Sequence, residues 1–325
     1  MRKVAPLTGI VLLFILVALC MARVYDSGKD RGALVDADIP HETIEWLNGI
    51  SGKLDDLISS FTPVPRPTPW GNSDDLGRDP ESGLRTLEDR YFVFYFPDEL
   101  TPAAHMCQLL ALEAIPHLEK VMGKYFFPEE MNGRKVSVYL SKGQEDFKSM
   151  VTKICGGKDD SDYTNVAGIT LMELSPAGMY LKGIVLNGAW CYADKRFTQS
   201  VLWHELSHYC FFASLDYSKR IDLPMWTYEG VAEYAAQPGF RPSFTEQEIQ
   251  EIRKECSLSA PEFPQVFENY RGGHSIYCFM EDVYQLEGVK GFLETLYLRG
   301  LDAGMTETLG TDLNEFEEAW KNHFE

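Results

Sequence analysis

Apolar positions along this chain fall into three kinds of pattern, and each predicts a different kind of structure. The first is an almost uninterrupted apolar run from Val4 to Ala22, densest between Ile10 and Leu19 and preceded by Arg2 and Lys3. About twenty apolar residues suffice to cross a bilayer, and basic residues ahead of such a run favour export. Residues 1–22 are therefore expected to be a signal peptide or an uncleaved anchor, the only part of the chain to meet a membrane. The rest is expected outside the cell, secreted or tethered. Val17-Ala-Leu-Cys20 is similar to a lipoprotein box, although Leu19 stands where a small residue is preferred.

The second pattern has no sustained period. From Arg23 onward the chain is charged and broken, with a short amphipathic piece between Glu42 and Ile58 and then Phe61-Thr-Pro-Val-Pro-Arg-Pro-Thr-Pro69. Prolines at that density favour extended polyproline II and forbid helix or central strand. Residues 23–85 read as a flexible Pro-rich spacer, and 86–325 as the folded domain.

The third pattern is periodic. Tyr91-Phe-Val-Phe-Tyr-Phe96 predicts a buried strand, and the alternating Lys135-Val-Ser-Val-Tyr-Leu140 predicts a half-solvated one. Between them, Thr101 predicts a helix cap with Pro102 in the first turn, and apolar residues continue at helical spacing toward Met122. A helical piece from Glu145 to Lys153 is followed by strand candidates at Gly168 to Glu173 and Met179 to Leu186, and the chain is mainly helical from Phe197 onward. Strands first and helices later predicts an α+β arrangement: a small N-terminal sheet, then a mainly helical C-terminal half.

Charge narrows the function. Against 30 basic residues stand 49 acidic ones, a formal net charge of −19, which repels phosphate backbones and argues against nucleic-acid binding. Six of the seven cysteines, Cys107, Cys155, Cys191, Cys210, Cys256 and Cys278, lie beyond the N-terminal run. An even number permits disulfides in an exported domain, or the cysteines are small buried hydrophobes. The lack of any C-x-x-C spacing disfavours a cysteine zinc cluster.

The chemistry is concentrated in Val201-Leu-Trp-His-Glu-Leu-Ser-His-Tyr209. Residues four apart share one face of a helix, so His204 and His208 can hold one zinc ion between them. Glu205, one position along, is placed to take a proton from zinc-bound water without being a ligand. Catalytic zinc needs a third protein ligand, and Pro224-Met-Trp-Thr-Tyr-Glu-Gly-Val-Ala-Glu-Tyr234 offers Glu229. With Thr227 as a helix cap, Glu229 falls in the first turn and Glu233 one turn further on the same face. The reverse assignment, Glu233 as ligand and Glu229 behind it, stays open.

These residues resemble the gluzincins, the zinc metallopeptidases that include thermolysin and the aminopeptidase N relatives, whose third ligand is a glutamate on a second helix. Tyr228-Glu-Gly-Val-Ala232 is similar to that element, although the stretch between His208 and Glu229 is slightly longer than the family's usual spacing. The resemblance extends to the bacterial peptidase MA-like domains, carried by the strand at Tyr91–Phe96, by Tyr270-Arg-Gly-Gly-His-Ser-Ile-Tyr277, and by Leu313-Asn-Glu-Phe-Glu-Glu-Ala-Trp320. It implies a zincin-like fold, one Zn2+, a peptide or protein substrate, and an edge strand over the active-site helix, for which Gly183–Asn187 is the candidate, although that segment reads equally as an interior strand. It also implies that Glu233 orients a zinc-bound imidazole. The oxyanion donor is implied to be Tyr270, then His274, with Tyr277 a further candidate. The Gly-Ala-Met-Glu-Asn element of aminopeptidase N is missing, which leaves endopeptidase activity or another specificity as the expectation. Two competing readings are a non-catalytic extracellular binding module on the same scaffold and zinc-dependent attack on a carbonyl other than a peptide's.

Overall fold

The computed structural model describes residues 76–123, 135–157, 163–175, 178–215, 223–261 and 269–324. All of these fall within one compact unit, Ser73–Glu325. The N-terminal apolar run, the amphipathic piece and the Pro-rich stretch lie outside the described residues. Among the described residues, no helix is long and apolar enough to cross a membrane.

The fold is α+β around one six-stranded mixed sheet. In chain order the strands are β1 (Gly77–Arg78), β2 (Arg85–Glu88), β3 (Phe92–Phe96), β4 (Val136–Leu140), β5 (Gly168–Ser175) and β6 (Gly178–Leu186). Their spatial order is β1-β2-β3-β4-β6-β5, parallel at β3–β4 and β4–β6 and antiparallel elsewhere. Both parallel steps need crossovers. α1 (Thr101–Met122) supplies the helix of the first, and α2 (Gln144–Ile154) lies in the second. The helices that follow are α3 (Lys195–Ser214), α4 (Met225–Ala236), α5 (Glu246–Glu255), α6 (Asn269–Arg299) and α7 (Leu313–Asn322). α6 is interrupted at Gln285, whose φ of 62° and ψ of 173° are not helical.

Period-two alternation decides which side chains each face of the sheet buries. Phe92, Phe94 and Phe96 with Val136, Val138 and Leu140 share the main core with α1 and α3. The opposite face places Val185 and Leu171 against Phe147 and Val151 of α2 in a smaller cluster. Removing a fully buried ring such as Phe94 leaves a cavity and costs about 3–5 kcal/mol.

Four sequence expectations are corrected. The sheet begins at Gly77, inside the stretch read as spacer. β1 and β2 are short and polar, so their order comes from pairing, β2 with β3 and β1 with β2, not from an apolar run of their own. Gly183–Asn187 is not an edge: β6 is hydrogen-bonded on both sides, and β5 is the outer strand. Thr101 does not cap α1. It is the first helical residue, and its hydroxyl donates to the Asp98 carbonyl at 2.7 Å. Thr227 likewise lies inside α4, donating to the Pro224 carbonyl at 2.7 Å, because Pro224 ends the preceding loop and the helix starts at Met225. As for the cysteines, no disulfide forms among the described residues, and Cys107, Cys191, Cys210, Cys256 and Cys278 are buried.

Candidate metal centre

α3 starts cleanly because the carboxylate of Asp194 accepts the amide protons of Arg196 and Phe197. Its inner face is fixed by Leu202, Trp203, Leu206 and Phe211, all buried, and by the Trp203 indole donating to the Leu110 carbonyl at 2.9 Å. That rotation turns His204 and His208 toward α4. α4 is itself locked by Trp226, whose indole donates to Leu258, and by the Tyr277 hydroxyl donating to the Thr227 carbonyl at 2.8 Å. The two helices bring three ligating atoms together. His204 Nε2 and His208 Nε2 are 2.9 Å apart, and Glu229 Oε2 lies 3.5 Å from the first and 3.2 Å from the second.

This triangle fits a metal ion by three separate tests. A tetrahedral ion with bonds of about 2.0–2.1 Å separates its ligands by about 3.3 Å, close to the three observed edges. Glu229 Oε2, one corner of the triangle, is buried without a hydrogen-bond partner, a costly state for an interior polar atom unless something binds there. The donor set, two imidazoles and one carboxylate, is that of zinc hydrolase sites. His204, His208 and Glu229 therefore form a group able to hold a metal ion.

Electrostatics within the group are strongly coupled. Burial disfavours a charged His204, but Glu229 and Glu233 outweigh it and raise its pKa well above the ordinary value. Burial likewise opposes a charged Glu229, and His204 with His208 reverses this, holding its carboxyl below the usual range. Glu233 follows the same pattern and is lowered by His204. Its Oε1 lies 3.1 Å from Nδ1 of His204, in ion-pair range though off the hydrogen-bond line, and Gln237 donates to its other oxygen. Glu233 is thus behind His204, on the ring nitrogen that faces away from the triangle, and Glu229 is in the triangle. Of the two assignments open from the sequence, only this one matches the geometry.

The residues downstream separate clearly. Tyr270 is 50% exposed, and its ring centroid lies 5.8 Å from that of His204. Burial together with Glu229, Glu205 and Glu233 raises its hydroxyl pKa to about 12, so it stays protonated at neutral pH. His274 is only 2% exposed, its ring packed between Tyr234 and Phe240. Burial lowers its pKa to about 4 and keeps it neutral. Tyr277 is fully buried, with its hydroxyl spent on the Thr227 carbonyl, which removes it from the site.

Two features of the site were not anticipated. The first is a contact between backbones: a Cβ on Gly273 would lie 2.7 Å from Cα of Gly230, and one on Gly230 would lie 2.5 Å from the Gly273 carbonyl oxygen. Only paired glycines let α4 and α6 approach this closely, which sets Tyr270 beside the residue preceding Gly230. The second is Thr170 of β5, whose hydroxyl sits 2.8 Å from both the backbone oxygen and Oε2 of Glu205. The alternation of β5 could have flagged Thr170 as a polar residue on an inward face, but nothing local names its partner. No family model and no curated protein matches the chain; its chemistry is read from the site itself.

Proposed function

We propose that this protein is a zinc-dependent hydrolase of the gluzincin type with a zincin-like fold, and that it is a peptidase acting outside the cell. One observation carries the reading: two histidines and a glutamate from separate helices converge within 3.5 Å, with Glu205 next to the first histidine. His204, His208 and Glu229 would hold the ion, and Glu233 would orient His204 through its other ring nitrogen. When bound, zinc supplies Lewis acidity, polarising a carbonyl and making water acidic near neutral pH.

The chain's own groups do the rest. Glu205 takes the proton of the attacking water and passes it to the leaving amine. Tyr270, held protonated and half exposed beside His204, donates to the oxyanion as it develops. His274 has a supporting role, a neutral ring buried near Glu233. The substrate backbone adds along β5, which has a partner on one side only among the described residues and faces α3 through Gly168 and Thr170.

The test is metal analysis of the purified protein followed by digestion of casein and a peptide library, with Glu205→Gln alongside. One equivalent of zinc is expected in both proteins. Cleavage is expected to fall at least about 100-fold in the variant, given the usual worth of a general base. Cleavage that survives Glu205→Gln rules the mechanism out.

A further inference from the structure

Accepting the reading of the site given above, we propose that Thr170 is a positioning residue that fixes the Glu205 carboxylate and ties it to the outer strand of the sheet. The hydroxyl of Thr170 carries one proton and meets two acceptors of the same residue at 2.8 Å, the backbone oxygen and Oε2. A carboxylate at the end of a flexible side chain loses rotamer entropy when ordered. A β-branched donor, itself restricted at χ1, is well suited to order it. With one carboxylate oxygen engaged by Thr170, the other is left for the proton transfer.

The neighbouring backbone is built for the same approach. Gly168 lies two residues before Thr170 and so on the same face of the strand. A Cβ there would stand 2.9 Å from Cγ of Glu205, 3.2 Å from its Oε1 and 2.8 Å from Cγ1 of Val201. Glycine at 168 lets β5 lie directly against the base, and threonine at 170 holds it. The intervening Ile169 and the following Leu171 face the other way, into the α2 cluster, which pins the strand's rotation. Just beyond Thr170 the pairing with β6 changes register between Leu171 and Met172. Such bulges re-aim a strand near functional sites. A segment adding to the outer edge of β5 therefore meets the base through one short, anchored strand, which links substrate binding to the placement of Glu205.

The experiment compares Thr170→Val, which keeps the shape and loses the donor, with Thr170→Ser, which keeps the donor. Each is made in the full chain and loaded with zinc. Misplacing a reacting group by about 1 Å costs on the order of 100-fold, so Thr170→Val is expected to lower kcat by about 10- to 100-fold. KM and zinc affinity should stay close to wild type, and Thr170→Ser should recover most of the rate. Crystal structures of the metal-free proteins supply a second readout, with Glu205 in one rotamer in wild type and Thr170→Ser and displaced or split in Thr170→Val. An unchanged kcat in Thr170→Val, a Thr170→Ser as slow as the valine variant, or a Glu205 carboxylate that does not move each overturns the proposal. If wild type cleaves no peptide, the functional reading fails, and the crystallographic comparison still decides the role of Thr170.

Discussion

His204 sits between two carboxylates that act on different ring nitrogens, Glu229 on Nε2 at 3.5 Å and Glu233 on Nδ1 at 3.1 Å. The two should therefore fail differently. Glu229→Gln removes a ligand and should abolish tight zinc binding. Glu233→Gln leaves the triangle complete and should weaken zinc by about 10- to 100-fold, the usual cost of losing a partner behind a metal-bound histidine. Competition with a chromophoric chelator reads both. A second residue-level expectation concerns His274, which titrates near 6.5 when unfolded and near 4 when folded. The unfolded chain takes up a proton that the folded one refuses, so stability is full above about pH 6.5 and falls as the pH drops toward 4. The loss amounts to about 3 kcal/mol. In urea titrations across that range, His274→Gln should flatten the pH dependence by roughly this amount.

At the scale of elements, the crossing of α4 and α6 decides which downstream residue reaches the His204–His208–Glu229 triangle. Tyr270 and His274 are four apart on α6 and belong to neighbouring turns, yet one is half exposed beside His204 and the other is interior. The Gly230–Gly273 contact fixes the distance and the roll between the helices. Gly273→Ala puts a methyl group where the opposing backbone lies and cannot be absorbed by a side chain. It should destabilise the fold by about 1–3 kcal/mol, the range for overpacking, and shift Tyr270 away from His204. Chemical denaturation measures the first effect and kcat the second. The period-two and helical patterns located these elements well: the predicted strands at 91–96 and 135–140 and the helix running to Met122 match β3, β4 and α1 to within a residue or two. They could not tell an outer strand from an inner one, because Gly168–Glu173 and Met179–Leu186 have similar composition. Strand order depends on which pairings close, and that is a property of the whole sheet.

At the scale of the whole molecule, the candidate metal site joins two separate helices, so an ion bound there would stabilise the packing of α3 against α4. At a free zinc concentration of about 100 times Kd the gain is about 2.7 kcal/mol, which for a domain of this size raises Tm by roughly 5–10 °C. Thermal scans with zinc and then with excess chelator should show that rise and its reversal. A chelator-insensitive Tm in wild type would count against a resident metal. Because Glu229 and Glu233 favour a protonated His204, binding must displace that proton. The zinc-induced rise should shrink as the medium is made more acidic, and isothermal calorimetry in buffers of different ionisation enthalpy should detect the proton released.

What the sequence by itself determined is the set of interactions that are local along the chain. His204, Glu205 and His208 could be placed together because their geometry follows from the pitch of one helix, and Glu229 and Glu233 because they are one turn apart on the next. The alternation of β3 and β4, the α+β order and the acidic balance are of the same kind. The tertiary structure decided everything that requires two segments to meet. It set Glu229 rather than Glu233 in the triangle, left Tyr270 half exposed beside His204 with His274 and Tyr277 interior, made β5 the outer strand, and brought Thr170 onto Glu205 from 35 residues away. The physical reason is that a helix or strand fixes where its side chains point only relative to its own axis. The relative placement of two axes is set by packing, here by a pair of glycines between α4 and α6 and by a strand laid against α3.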